Sequence, residues 1–227
     1  MNAVVFYSNT GQSKLVAEYL ANKLSYPLIP IGSAGQCYDC LVLVFPVHCQ
    51  NAPSVVESFL SKTTSKYTVL VATYGKMCTG NVLCELQNKY KMNIIAGAYI
   101  PSKHTYLEND EDVTDLEKLR PLIEKIQTSS CAVTFPKLYK NPLANAFPNL
   151  RGRLGVKLIK NEKCNACGLC EANCPLNAIS CGVPNKNCIR CLRCVKVCPT
   201  DALEYKVRLP LALYLAKKKK RETIIYI

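Results

Sequence analysis

Residues 164–175 read Cys-Asn-Ala-Cys-Gly-Leu-Cys-Glu-Ala-Asn-Cys-Pro, and residues 188–199 read Cys-Ile-Arg-Cys-Leu-Arg-Cys-Val-Lys-Val-Cys-Pro. Both blocks share one frame, C-x-x-C-x-x-C-x-x-x-C-P, which is the spacing that wraps a cubane iron–sulfur cluster. Three thiolates on one tight loop can face three corners of one cluster, and the fourth must come from further away. A single C-x-x-C would fit zinc or a redox dithiol equally well. Two matched copies are more specific, each closed by a proline that fixes φ and removes a backbone donor. They point to two 4Fe–4S clusters. Zinc and disulfides are the alternatives. Zinc takes four ligands, often two C-x-x-C pairs or a set with His, and no His lies after His104.

The segment resembles the two-cluster, clostridial-type ferredoxins. In that family each motif lends its last cysteine to the other cluster. The resemblance therefore implies one metal set of Cys164, Cys167, Cys170 and Cys198, and a second of Cys188, Cys191, Cys194 and Cys174. It also implies a small α+β ferredoxin domain, expected over 156–207. Ala178-Ile179 and Ala202-Leu203 hold equivalent places in the two repeats. Each half should thus be a cluster loop, a helical turn and a strand, related by an internal pseudo-twofold. Ile179, Val183, Ile189, Val195 and Leu203 are expected to shield the clusters. Cys181 falls outside the frame and is expected to pack as a small hydrophobe.

Charge divides the chain. Residues 1–136 hold 11 Lys/Arg and 11 Asp/Glu, whereas residues 137–227 hold 18 basic and 5 acidic residues, which carry the whole net charge of +13. Two oxidised clusters with their thiolates lower that charge by about 4 and leave the second half basic. A redox protein partner with an acidic docking surface is expected. The start, Met1-Asn2-Ala3-Val4-Val5-Phe6, has no basic n-region or cleavage site, so it does not read as a signal peptide. No apolar run approaches the ~18 residues of a membrane span. With 15 cysteines, a reducing, cytoplasmic location is expected, a usage that suits an anaerobe.

Working back from the cysteine blocks, residues 135–155 carry Pro136, Pro142, Pro148, Gly152 and Gly155 among Phe135, Leu138, Tyr139, Leu143, Phe147 and Leu150. Turn chemistry mixed with apolar residues reads as a packed connector. The N-terminal part, 1–134, alternates strand and helix patterns. Continuous apolar runs at 3–7, 28–31, 41–45, 67–73 and 94–99 read as buried strands. Leu15, Val16, Tyr19, Leu20 and Leu24 recur at helical spacing, as do Val82, Leu83, Leu86 and Tyr90; 53–60 and 110–128 read as further helices. The acidic run 108–117, with Thr114 and Glu117 as a capping box, reads as the start of the last helix. Five strands alternating with helices argue an α/β fold with a parallel sheet covered on both faces.

Ligands of such sheets bind beyond the carboxyl ends of the strands. Three loops fall there: Ser8-Asn9-Thr10-Gly11-Gln12-Ser13, then Pro46 to Pro53, then Tyr74 to Asn81. The first joins a strand to a helix N-terminus, where free N–H groups and the helix dipole favour an anion. An ordinary capped turn would read the same way, and the loop lacks the Gly-Lys-Ser/Thr of a Walker motif. Here the chain resembles the flavodoxins over about residues 1–130, on its Ser-x-Thr-Gly-x-Ser loop. The resemblance implies a doubly wound sheet in the order 2-1-3-4-5 and non-covalent FMN. It implies that Ser8, Asn9, Thr10, Gly11, Gln12 and Ser13 hold the phosphate. Pro46, Val47, His48 and Cys49 would form one flavin wall, and Thr73, Tyr74, Gly75, Gly80 and Asn81 the other. The chain has no Trp, so the aromatic candidates are His48 and Tyr74. His104 is expected to be structural or solvated.

Residues 208–227 read as a basic tail, a basic and partly apolar helix that carries Leu211, Leu213, Tyr214 and Leu215 ahead of Lys217 to Arg221. Packing on the body or contact with a membrane surface through 209–221 are both open to it. Nucleic acid is disfavoured, since no aromatic-interleaved basic groove accompanies it.

Together the resemblances describe a flavodoxin–ferredoxin fusion. They imply an electron-transfer protein that relays single electrons between two clusters and FMN. Two alternatives stand beside it: an FMN-dependent oxidoreductase fed by the clusters, and a regulatory iron–sulfur protein binding nucleic acid or membrane through its tail.

Overall fold

The computed structural model describes all residues except 108–114, 146–147 and 218, and the backbone alone at 148–149. The chain forms two compact units, Met1–Pro142 with Lys219–Ile227, and Leu143–Lys218.

The first unit is a doubly wound sheet. Strands β1 (Asn2–Phe6), β2 (Leu28–Pro30), β3 (Cys37–Pro46), β4 (Thr64–Tyr74) and β5 (Ile94–Pro101) alternate with helices α1 (Gln12–Leu24), α2 (Ser54–Leu60) and α3 (Val82–Tyr90). Helix α4 (Arg120–Thr128) follows a short 3-10 turn at Leu116–Leu119, with Pro121 in its first turn, where a missing N–H costs no helical bond. The parallel strands lie in the order β2-β1-β3-β4-β5. The Val/Ile/Leu-rich central strands are buried on both faces, and the sheet therefore carries two cores. Val4, Val42, Val44, Val69 and Val71 face α1 and α4 on one side. Leu41, Leu43, Phe45, Leu70 and Tyr99 face α2 and α3 on the other. Of the expected last helix and its capping box, residues 110–114 lie outside the described residues.

Two differences from the sequence reading concern the chain's second half. The connector runs first over the N-terminal unit. Val133 donates to the Ile94 carbonyl, Phe135 N–H to Gln87 and Leu138 N–H to Asn81. Phe135 is buried, but Tyr139 and Leu143 are exposed, so the packing expected over 135–155 holds only for its early part. The tail is not one basic helix either. Helix α8 (Leu209–Leu215) ends before the lysine run, and Ile224–Tyr226 forms a sixth strand, β10, antiparallel to β5. Ile224, Ile225 and Tyr226 pair with Tyr99, Ala98 and Gly97. Residues 219–227 thus belong to the first unit, and the sheet is six-stranded rather than five-stranded.

The second unit is small. It holds α5 (Pro148–Gly155), β6 (Val156–Lys160), α6 (Leu169–Ala172), a hairpin of β7 (Ile179–Ser180) and β8 (Val183–Pro184), α7 (Arg193–Lys196) and β9 (Leu203–Val207), before α8. β6 pairs antiparallel with β9. The repeat is visible in the backbone. Ala166, Gly168 and Asn177 have positive φ, and so do Arg190, Leu192 and Asp201, each 24 residues on. These left-handed positions curl both loops in the same way, although Ala166, Arg190 and Leu192 carry side chains that disfavour them.

Candidate functional site

In the C-terminal unit the curled loops bring the cysteines of the two motifs together as two separate sets. One cavity is lined by Cys164, Cys167, Cys170 and Cys198. A second is lined by Cys174, Cys188, Cys191 and Cys194. Each cavity takes three cysteines from one loop and the last from the other. Helices α6 and α7 supply Cys170 and Cys194 from equivalent turns. The crossing cysteines are also held alike. Ala178 N–H donates to Cys174 Sγ at 3.2 Å, and Ala202 N–H to Cys198 Sγ at 3.3 Å. Such N–H···S bonds suit a sulfur carrying negative charge.

The surroundings of the two cavities differ. Leu158, Pro175, Leu176, Ile179, Ile189 and Leu192 wall the second, whereas Asn165, Glu171, Thr200 and the exposed Cys167 give the first a polar, wetter side. Burial raises the Cys191 thiol to about 11 and the Cys194 thiol to about 12, with neighbouring cysteines adding to both. At Cys198 burial also raises the pKa, but bonds from Thr200, Ala202 and Leu203 outweigh it and the net shift is downward. Four thiols per cavity, with amide donors to sulfur, fit a cubane cluster; iron binding there must displace thiol protons.

Cys181 departs from its expected role. It is exposed rather than packed as a buried hydrophobe, and it lines the first cavity beside Cys164, Cys167, Cys170 and Cys198. Val183 is likewise exposed, and it lines neither of these two cavities.

In the N-terminal unit the three expected loops do meet at the carboxyl edge of the sheet. Gly11, at φ +95°, turns the chain into α1, and no side chain caps that helix. Gly11 N–H donates to Ser8 Oγ at 3.1 Å. Ser13 Oγ bonds Thr73 Oγ1 at 2.8 Å and ties the first loop to the end of β4. Asn9 Nδ2 lies 3.1 Å from His48 Nε2, which ties the first loop to the second. Among the described residues the side-chain Oδ1 of Asn9 is buried without a hydrogen-bond partner. Turned over, that amide would accept from a His48 Nε2–H. The His48 ring stands edge-on to Tyr7, with centroids 6.5 Å apart, and burial lowers its pKa to about 4. Gly80 joins the second and third loops: a Cβ there would lie 2.6 Å from the Gln50 carbonyl oxygen.

Several expected wall residues are otherwise engaged. Tyr74 is 2% exposed and packs in the core, and its hydroxyl donates to the Glu222 carbonyl at 2.7 Å. It therefore presents no ring for stacking; burial raises its pKa to about 12 and keeps it a donor. Asn81 is buried, and its Oδ1 accepts the Leu138 N–H. Pro46 and Val47 are half-buried, Cys49 is exposed with φ +48°, and Val47 N–H reaches the Thr73 carbonyl. Sequence reasoning missed a fourth loop at this edge, after β5. Ser102 N–H donates to the Tyr74 carbonyl at 2.8 Å. His104 lies against Gly75, where a Cβ would come within 2.4 Å of its ring. Tyr106 lies beside His104, with ring centroids 5.4 Å apart. The only signal for it was position, since it follows a strand of the same parallel sheet.

Among known proteins, residues 158–180 and 183–204 each match the family model of the 4Fe-4S binding domain. The NADH-quinone oxidoreductase subunit I of Carboxydothermus hydrogenoformans is 38% identical over 56 residues, which are 22% of this chain and 40% of that one. The chain thus spans well under half of that relative. Similar solved structures include a putative flavoprotein from Bacteroides uniformis, at 18% identity and a TM-score of 0.45, covering 54% of this chain and 97% of that one. A flavodoxin from the domain Archaea has 18% identity and a TM-score of 0.42, covering 56% of this chain and 99% of that one. The C-terminal unit thus carries two segments similar to the 4Fe-4S binding domain. No helix among the described residues is long and apolar enough to cross a membrane.

Proposed function

We propose that this chain relays single electrons between two 4Fe–4S clusters and a bound FMN. The observation that carries the reading is the division of eight cysteines into two cavities, each completed by a cysteine from the other motif. In this reading Cys164, Cys167, Cys170 and Cys198 hold one cluster, and Cys174, Cys188, Cys191 and Cys194 the other. Bound clusters pass one electron at a time, and FMN takes up one or two.

The residues of the first unit do the holding. Ser8 to Ser13 bind the FMN phosphate with backbone N–H groups at the start of α1, where the helix dipole favours an anion. Ser13 and Thr73 lock the loop to the sheet. His48 stays neutral at pH 7 and adds no positive charge beside the phosphate. His48 forms one side of the flavin cleft, and His104 with Tyr106 the other, in place of Tyr74. The basic second half supports docking to an acidic redox partner, and the 15 cysteines support a reducing, cytoplasmic setting.

Anaerobically purified protein tests the reading directly. Chemical analysis should find about eight irons and one FMN per chain, and reduction by a one-electron donor should bleach the clusters and then the flavin. A chain that takes up iron but no FMN on reconstitution would end the relay. Flavin reoxidation by a small substrate would establish the oxidoreductase alternative instead.

A further inference from the structure

The first cavity holds five cysteines and the second holds four. We propose that Cys181 is a reserve ligand of the first cluster, able to take the place of Cys170. This rests on the four-thiolate reading given above.

The extra thiol is held in place. Cys181 forms the turn of the β7–β8 hairpin, in which Ile179 pairs with Pro184 and Ser180 with Val183. Its N–H donates to Glu171 Oε1 at 2.5 Å, and Glu171 follows Cys170 in α6. The turn is therefore fastened to the helix that carries a ligand of the same cavity. Behind it, Lys160 and Leu203 close on Gly182. Cys181 itself sits at φ +45°, where an ordinary side chain is disfavoured and Gly or Asn would be more at ease.

The feature belongs to one cavity alone. The repeat offset of 24 residues that carries Cys174 to Cys198 carries Cys181 to Tyr205, a β9 residue paired with Leu158. The spare thiol also sits on the wetter cavity, beside the exposed Cys167, where oxidants reach the cluster first.

The exchange is a ligand substitution. The Fe–Sγ bond to Cys170 breaks and one to Cys181 forms. The Cys181 thiol proton passes to the departing Cys170 thiolate, and no electron changes hands. Where Cys170 is absent, that proton goes to solvent.

The full-length chain tests this in four forms: wild type, Cys181→Ala, Cys170→Ala and the double variant. Each is reconstituted anaerobically and assayed for iron and sulfide, with an electron paramagnetic resonance spectrum of the reduced state. The expectation is about eight irons in the first three and about four in the double variant. The Cys170→Ala spectrum should also shift from wild type, because one ligand comes from a new direction. Fewer than about eight irons in Cys170→Ala would overturn the proposal, whether through loss of a cluster or failure to fold. Full loading of the double variant would overturn it as well. A wild type below about eight irons would sink the four-thiolate reading itself, and this proposal with it.

Discussion

In the N-terminal unit, Leu41 to Phe45 run five residues deep without exposure, and a layer of helices covers each face of the sheet. In the C-terminal unit, β7 and β8 are two residues each, and the buried apolar residues amount to a few such as Val156, Leu158, Ile179, Leu192 and Leu203. The first unit can draw its stability from apolar burial alone. The second has too little core for its length, and its cluster loops sit in left-handed conformations that oppose folding. Cluster ligation is expected to make up the difference and to couple metal binding to folding.

The largest effect is expected from removing the iron. Chelation under oxidising conditions should abolish the thermal transition of the C-terminal unit and leave that of the N-terminal unit in place. Calorimetry reads both, and retention of two transitions in iron-free protein would contradict the account. Next in size, Leu43→Ala empties part of the buried sheet. It should destabilise the N-terminal unit by about 3 kcal/mol in urea titration while iron content stays unchanged.

Tyr74→Phe removes the bond to Glu222 that fastens the returning strand. A loss of about 1 kcal/mol in the N-terminal unit is expected, with faster amide exchange in residues 224–226. Ala166→Gly relieves a left-handed position on an exposed stretch of the first cluster loop. It should stabilise the loaded C-terminal unit by about 0.5 kcal/mol, the relief exceeding the added freedom of the unfolded chain. The last effect depends on pH. His48 has a folded pKa of about 4 against an ordinary 6.5. Below pH 6.5 the unfolded chain binds the proton more readily, so the N-terminal unit loses stability as pH falls from 6.5 toward 4. Above that range the contribution is constant. His48→Asn should flatten this slope in urea titrations at stepped pH, and an unchanged slope would remove His48 as its cause.

The legible parts of the chain are those where one local pattern has one physical cause. Continuous apolar runs announce β1, β3, β4 and β5, because a parallel strand is buried on both faces. The cysteine frame announces both cavities, because its spacing is the ligand geometry. The missed features depend on distant partners. Ile224-Ile225-Tyr226 is too short to signal a strand, follows a lysine run, and pairs with Gly97, Ala98 and Tyr99 of β5 across more than half the chain. Tyr74 looked like a cleft aromatic because nothing near it in sequence reveals Glu222 as its acceptor. Cys181 has no place in the frame. Only the folded hairpin turn puts it beside the other four.

The return of β10 to the first sheet has a consequence for synthesis. The cysteine-rich unit is an insertion: the chain leaves the first unit after Pro142 and rejoins it at Lys219. A ribosome adding about 5–20 residues per second needs roughly 6 to 25 s to travel from the end of β5 to β10. Throughout that interval the outer edge of β5 at Gly97, Ala98 and Tyr99 lacks its strand partner, which exposes it to pairing with other chains. Iron delivered to the nascent cluster loops in the same interval would reach them before the sheet around their point of departure is sealed.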